Sequence, residues 1–277
     1  MTARTITTPA GPTCQRAFQQ MARQCLASVR QHREAAGRGD ADAVHSIRIA
    51  LTKLRAARKF FAAMTRDTAW PKLKAEIRWL NRILGAARDN DVTSAYARAA
   101  RKSRLAVADG KQLARETSRT HRQLATALRS ARFNRLLTDL ARWIDKGPWL
   151  MLNAPSARAR RLQPLADFAP ARLQRWKQRL ARKAARRLGN GERRHRLRIA
   201  AKRYRYMREA ITAMGVPERR PERQDREAAH SVQHALGEIR DLNRLRKLQP
   251  ERLSTKSYRR IKRRLLGRAH RAFRHLA

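Results

Sequence analysis

The chain has 277 residues, 42% hydrophobic and 32% charged, which is enough to bury the core of one large domain or of two packed halves and excludes a wholly disordered tail. Its 67 Lys and Arg against 21 Asp and Glu leave a formal net charge of +46, far more than solubility needs, so a polyanion is the expected partner. Cys14 and Cys25 alone make no disulfide framework or thiolate metal cage, and no stretch nears the roughly 18 apolar residues of a membrane span; a reducing cytoplasm, away from the membrane, is the expected location.

Residues 1–12 read as a disordered N-terminus. Beyond them Ala, Leu, Arg and Lys at helical spacing fill almost every window and strand signals are nearly absent, so the fold class is all-α. Helices are predicted at 14–36, 41–65, 70–87, 91–109, 111–128, 131–146, 168–188, 193–214, 222–240 and 255–276. The breaks fall at Gly37 and Gly39, Gly110, Gly147 with Pro148, Gly189 to Gly191, Gly215 with Pro217, and Pro250. Pro148, Pro155, Pro164 and Pro170 crowd the least regular stretch, which divides the chain into an N-terminal half (13–147), a connector (148–167) and a C-terminal half (168–277).

The two halves repeat each other. At an offset of 150, His45, Arg48, Ile49, Ala50, Arg55 and Arg58 recur as His195, Arg198, Ile199, Ala200, Arg205 and Arg208, and Lys53 is matched by Arg203. A second landmark follows each copy: Leu84, Gly85, Arg88 and Asp89 recur as Leu236, Gly237, Arg240 and Asp241. Similar halves commonly pack about a pseudo-twofold axis, which would bring equivalent residues face to face.

On a helical wheel, His45, Arg48, Thr52, Arg55 and Lys59 form one stripe, and Val44, Ile47, Leu51, Leu54 and Phe61 another. The second copy divides the same way, with His195, Arg198, Lys202 and Arg205 on one face and Leu197, Ala201, Tyr204 and Ile211 on the other. A solvated helix face is the plainer explanation for most of the 67 basic residues. It does not account for a row of cations one turn apart, headed by His, that occurs twice.

These residues resemble the CHAD family, helical domains named for conserved histidines, whose hallmark is a basic helix headed by His followed by a Leu-Gly-x-x-Arg-Asp segment. Val44 to Phe60 and Leu84 to Val92 carry the first set; His195 to Glu209 and Leu236 to Asn243 carry a looser second set. The resemblance spans roughly residues 13–277 and implies two helical bundles with pseudo-twofold symmetry around a basic central cavity that binds inorganic polyphosphate. Thr52 stands where a basic residue is common, and Glu209 interrupts the second stripe. The catalytic domain often fused to such modules is not recognisable, its Glu-x-Glu-x-Lys signature being missing.

Polyphosphate has charge and no bases, so guanidinium and ammonium groups suffice to hold it. Single-stranded nucleic acid favours exposed aromatic platforms, whereas Phe60, Phe61, Trp79 and Trp143 sit at apolar helical positions. The expected polyphosphate contacts are Arg48, Lys53, Arg55, Lys59, Arg198, Lys202, Arg203 and Arg205, with Arg88 and Arg240 at the rim. His45 and His195 would be held neutral by surrounding cations and charge on binding, or would make structural hydrogen bonds instead. Asp89 and Asp241 read as caps or ion-pair partners at helix boundaries. His230 and His234 have metal-ligand spacing without an evident third ligand. No cofactor, metal or catalytic residue is expected: phosphate loop, nucleophile elbow and acid-base carboxylate pair are all missing from the sequence. The leading expectation is a non-catalytic polyphosphate binder, associated with polyphosphate granules in a bacterial cytoplasm and adhering to nucleic acid only at low salt. The alternatives are a structural nucleic-acid-binding protein and an enzyme acting on phosphoanhydrides.

Overall fold

A computed structural model of the protein describes residues 11–102, 110–184, 188–248 and 254–276. Helices start where side chains satisfy the free backbone N–H groups of a first turn. Thr13 accepts from the Arg16 amide to begin α1 (Cys14–Gln31), and Asp40 accepts from the amides of Asp42 and Ala43 to begin α3 (Ala41–Phe60). Between them the short α2 (Arg33–Gly37) ends before Gly39, whose φ of +95° is a conformation that glycine takes without strain.

The chain continues through α4 (Trp70–Lys102), α5 (Gly110–Arg129) and α6 (Ala131–Lys146), the last capped by Ser130. A 3-10 turn (Pro148–Leu150) and α7 (Pro155–Leu162) lead to α8 (Leu165–Ala184). Asn190 caps α9 (Gly191–Thr212), which is followed by α10 (Arg220–Leu248) and α11 (Thr255–Arg274). Among the described residues there is no strand, only an isolated bridge between Thr13 and Pro164. The all-α expectation holds.

The structure redraws several expected boundaries. The helices predicted at 70–87 and 91–109 are joined in α4, and the one predicted at 222–240 runs on to Leu248 in α10. Both Leu-Gly-x-x-Arg-Asp segments therefore lie inside long helices, and neither Asp89 nor Asp241 caps anything. The proline-rich connector is largely helical: Pro148 and Pro155 occupy first helical positions, where a missing N–H costs nothing. Pro170 lies within α8 on its exposed side, so water can take the carbonyl that it leaves without a partner. The expected N-terminal disorder over 1–10, the end of the predicted helix 91–109, three positions of 168–188 and the break at Pro250 lie outside the described residues.

The apolar stripes read from the repeat are buried. Val44, Ile47, Leu51, Leu54 and Phe61 of the first copy, and Leu197, Ala201, Tyr204 and Ile211 of the second, are each at most 2% exposed. Aromatic residues seal the junction of the halves: Phe60 meets Phe61, Phe168 and Trp176 edge-on, and Phe18 meets Trp143 and Trp149 the same way. This confirms the expected core role of Phe60, Phe61 and Trp143. Helices α3 and α9, one from each copy, pack against each other.

Candidate cation site

Each basic stripe rides on a helix whose opposite face is anchored in the core, so packing α3 against α9 sets where the cations point. Lys202 stands at the meeting point. Burial, then Arg198, Arg48, Arg205 and Lys53 in that order, lower its ammonium pKa to about 8. Two of these neighbours come from α3 and two from α9. Lys53, Lys202 and Arg205 also gather over one face-bearing ring, with 5.4, 5.2 and 4.9 Å to the centroid of Tyr206.

The upper end of the group holds the histidines and the second landmark. Arg48 Nη1 donates to the Leu84 carbonyl at 3.0 Å, and a Cβ added to Gly85 would stand 3.3 Å from that same nitrogen. Gly85 is therefore what lets Arg48 lie flat on α4. Arg88 donates to the Ala41 carbonyl at the start of α3, which keeps it near His45. Burial, then Arg88, Lys202 and Arg48, push the His45 pKa down; burial, then Arg198 and Arg240, do the same to His195. Among the described residues neither imidazole has a hydrogen-bond partner within the protein.

Asp89 reaches across the halves, with Arg240 Nη2 at 3.2 Å and Arg244 Nη1 at 3.5 Å from its Oδ1. The ion-pair reading of Asp89 thus holds. Asp241 is half-buried, and desolvation raises its pKa despite Arg240, Arg198 and Arg244 nearby. Glu209, the departure noted in the second stripe, pairs with Arg205 at 3.2 Å, and Thr52 turns its hydroxyl back to donate to the Arg48 carbonyl.

Arg55, Lys59 and Arg203 form an adjoining group rather than a continuation of the one around Lys202. Arg203 feels Arg55, and Lys59 feels Arg203, Arg179, Lys183 and Arg172; burial first, and these cations next, lower the pKa of both. The contacts are reciprocal in the terms of the repeat. Lys53 and Arg205 share the Tyr206 ring, while their counterparts Arg203 and Arg55 approach each other.

His234 Nδ1 lies 2.9 Å from Glu238 Oε1 and 3.0 Å from Arg268 Nη2, and among the described residues no group of three or more His, Cys, Asp or Glu could hold a metal. Arg58 and Arg208, repeated as faithfully as Arg48 and Arg198, turn away into structural roles: Arg58 lies over the Trp70 ring and Arg208 is buried beside Glu218 and Glu222.

Sequence reasoning missed Arg78, Arg172, Arg179, Lys183 and Arg244, which join the cation groups from α4, α8 and α10. Arg179 and Lys183 one turn apart on α8 were a usable signal, but α8 has no repeated motif to single them out. Tyr206 was hidden for another reason: its counterpart in the first copy is Ala56.

The sequence matches the family of the CHAD domain over residues 20–250. The chain belongs to the CHAD domain family. The solved structure of the CHAD domain from the plant Ricinus communis has the same fold, with a TM-score of 0.72 and 23% identity over 99% of this chain and 96% of that one. No curated protein sequence matches the chain. Among the described residues of this CHAD protein no helix is long and apolar enough to cross a membrane.

Proposed function

We propose that this CHAD protein binds inorganic polyphosphate, without chemically altering it, along the cations that α3 and α9 turn toward each other. The observation that carries this reading is the crowding around Lys202, where burial, together with four cations from two helices, lowers its ammonium pKa to about 8. Such an arrangement is unfavourable when empty and is relieved by a chain of phosphates, whose oxygens suit the planar forks of Arg48, Arg198 and Arg205. His45, Arg88, His195 and Arg240 border the upper end, Lys53 and Lys202 the middle, and Arg55, Lys59 and Arg203 extend the path. The pairing of Lys53 with Arg205 over one Tyr206 ring, and of Arg203 with Arg55, supports a pseudo-twofold arrangement of the two halves. Work in the cytoplasm, at polyphosphate granules, follows from such a ligand.

Competition tests the reading. At about 0.15 M salt, long-chain polyphosphate should displace a bound DNA or RNA duplex, and excess duplex should not displace polyphosphate, because charge attraction to a duplex fades steeply with salt. The reverse order would make nucleic acid the ligand. Incubation with polyphosphate and Mg²⁺ should release no orthophosphate; release would make the protein an enzyme.

A further inference from the structure

A cavity of about 290 Å³ opens between α8 and α9 beside the end of α3. Its floor is apolar, made by Trp176, Leu180, Ile199 and Ala200. Its rim is cationic, made by Lys59, Arg179, Lys183, Arg196 and Arg203. Arg196 has Glu192 at 3.5 Å; among the described residues the other four have no ion pair. A bare phosphate chain satisfies the rim but leaves the floor wet, and a solvated cation cluster needs no apolar floor. A lipid would need a long apolar groove, whereas this volume lies at the lower end of the roughly 300–1,000 Å³ of small-molecule sites.

We propose that the cavity seats the base and sugar of a nucleoside polyphosphate, with its phosphates on Lys59, Arg179, Lys183 and Arg203. Because Lys59 and Arg203 also belong to the polyphosphate path, this inference rests on the same reading of those cations and adds a second ligand class at the end of that path. The rim offers donors and no side-chain acceptor beyond Glu192, so a base edge rich in acceptors suits it best. Guanine, whose O6 and N7 accept from one guanidinium fork, is such a base. Desolvation and the cations Arg203, Arg179, Lys183 and Arg172 depress the Lys59 pKa, and an anion there relieves the repulsion among them.

Calorimetric titration of the full chain with GTP and with inorganic tripolyphosphate at about 0.15 M salt tests this, with long-chain polyphosphate titrated in parallel. Both small ligands carry three phosphates, and tripolyphosphate carries the larger charge, so charge alone favours it. GTP should nevertheless bind more tightly by about tenfold, the gain from burying the apolar faces of a nucleoside. Ala200→Phe fills the floor and should abolish that preference while leaving long-chain polyphosphate binding intact. Arg179→Glu, at an exposed position, should weaken GTP by about tenfold and tests the rim without touching the core. Tripolyphosphate binding as tightly as GTP overturns the proposal, as does a GTP preference that survives both substitutions. GTP binding without long-chain polyphosphate binding would keep the cavity and sink the polyphosphate reading instead.

Discussion

One helix, α9, treats its cations in two opposite ways. Arg198 and Lys202 neighbour Arg48 across the α3 contact and Arg205 shares the Tyr206 ring with Lys53, whereas Arg208, one turn beyond Arg205, is 4% exposed and ringed by carboxylates. Glu222 lies 3.1 Å from Arg208 Nη2 and Glu218 3.6 Å from its Nε, and Arg226 closes the cluster on Glu218 at 3.1 Å. At the equivalent place in α3, Arg58 also leaves the stripe, but it covers the Trp70 ring and, among the described residues, has no carboxylate in an ion pair with it. A buried cation with its counter-ions supplied by the fold is part of the architecture. Cations gathered with few counter-ions are the ones that suit the polyanion proposed above.

That contrast breaks most visibly at Arg208. Arg208→Ala removes the buried guanidinium between Glu218 and Glu222, leaving them Arg226 and Arg219 as partners, and should cost up to about 3 kcal/mol of stability, read as a drop in unfolding midpoint. Polyphosphate affinity measured well below that midpoint should hardly change. Reversal of Arg48 and Arg198 together to Glu should do the opposite, lowering polyphosphate affinity by about a hundredfold or more at about 0.15 M salt. Reversal of the exposed pair Arg158 and Arg160 on α7 should lower it only severalfold, and equal losses would mean that attraction is spread over the whole surface.

Acidity sharpens the same contrast. Lys202 has a pKa of about 8 in the free fold and an ordinary value of 10.5, so its crowding destabilises the fold below about pH 8 and is relieved as pH rises through 8 toward 10.5. A bound polyanion raises the pKa again. Polyphosphate affinity should therefore climb as pH falls from about 10 to 8, by at most about tenfold per pH unit for this one proton. His45 and His195, whose pKa values are pushed below 6.5, should add a second gain as pH falls from neutrality toward 6. Lys202→Met should remove the first gain and spare the second; titration of affinity in both proteins checks it.

The smallest effects should come from the paired glycines. Gly85→Ala places a methyl against Arg48 Nη1 and should displace that guanidinium, weakening polyphosphate severalfold. Gly237 has nothing within 4 Å of an added Cβ, so Gly237→Ala should leave affinity unchanged and stabilise α10 by up to about 1 kcal/mol, the difference in helix propensity. Side-by-side thermal unfolding and binding titrations separate the two.

Much of this was legible in the residues. Helical spacing gave all-α, and the 3.6-residue period sorted Ile47, Leu51 and Leu54 from Arg48, Thr52 and Arg55 because a side chain's direction on a helix follows from its position alone. The repeat marked α3 and α9 as a pair, and the family followed from the same residues. Local signals failed where context outweighed them: Asp89 looked like a cap because Asp commonly is one, and the prolines of the connector looked like breaks although two of them start helices.

Periodicity along one helix therefore determined which residues are cationic, which are apolar and which come in pairs. Only the tertiary structure decided which cations meet, because the distance between Lys202 and Lys53, or between Arg208 and Glu222, depends on how separate helices cross. That crossing divided identical Arg repeats into two kinds, and it drew Arg179 and Lys183 from an unrepeated helix into the path. Charge is written residue by residue, but electrostatic energy depends on distances through space and on burial, and both exist only once the helices have packed.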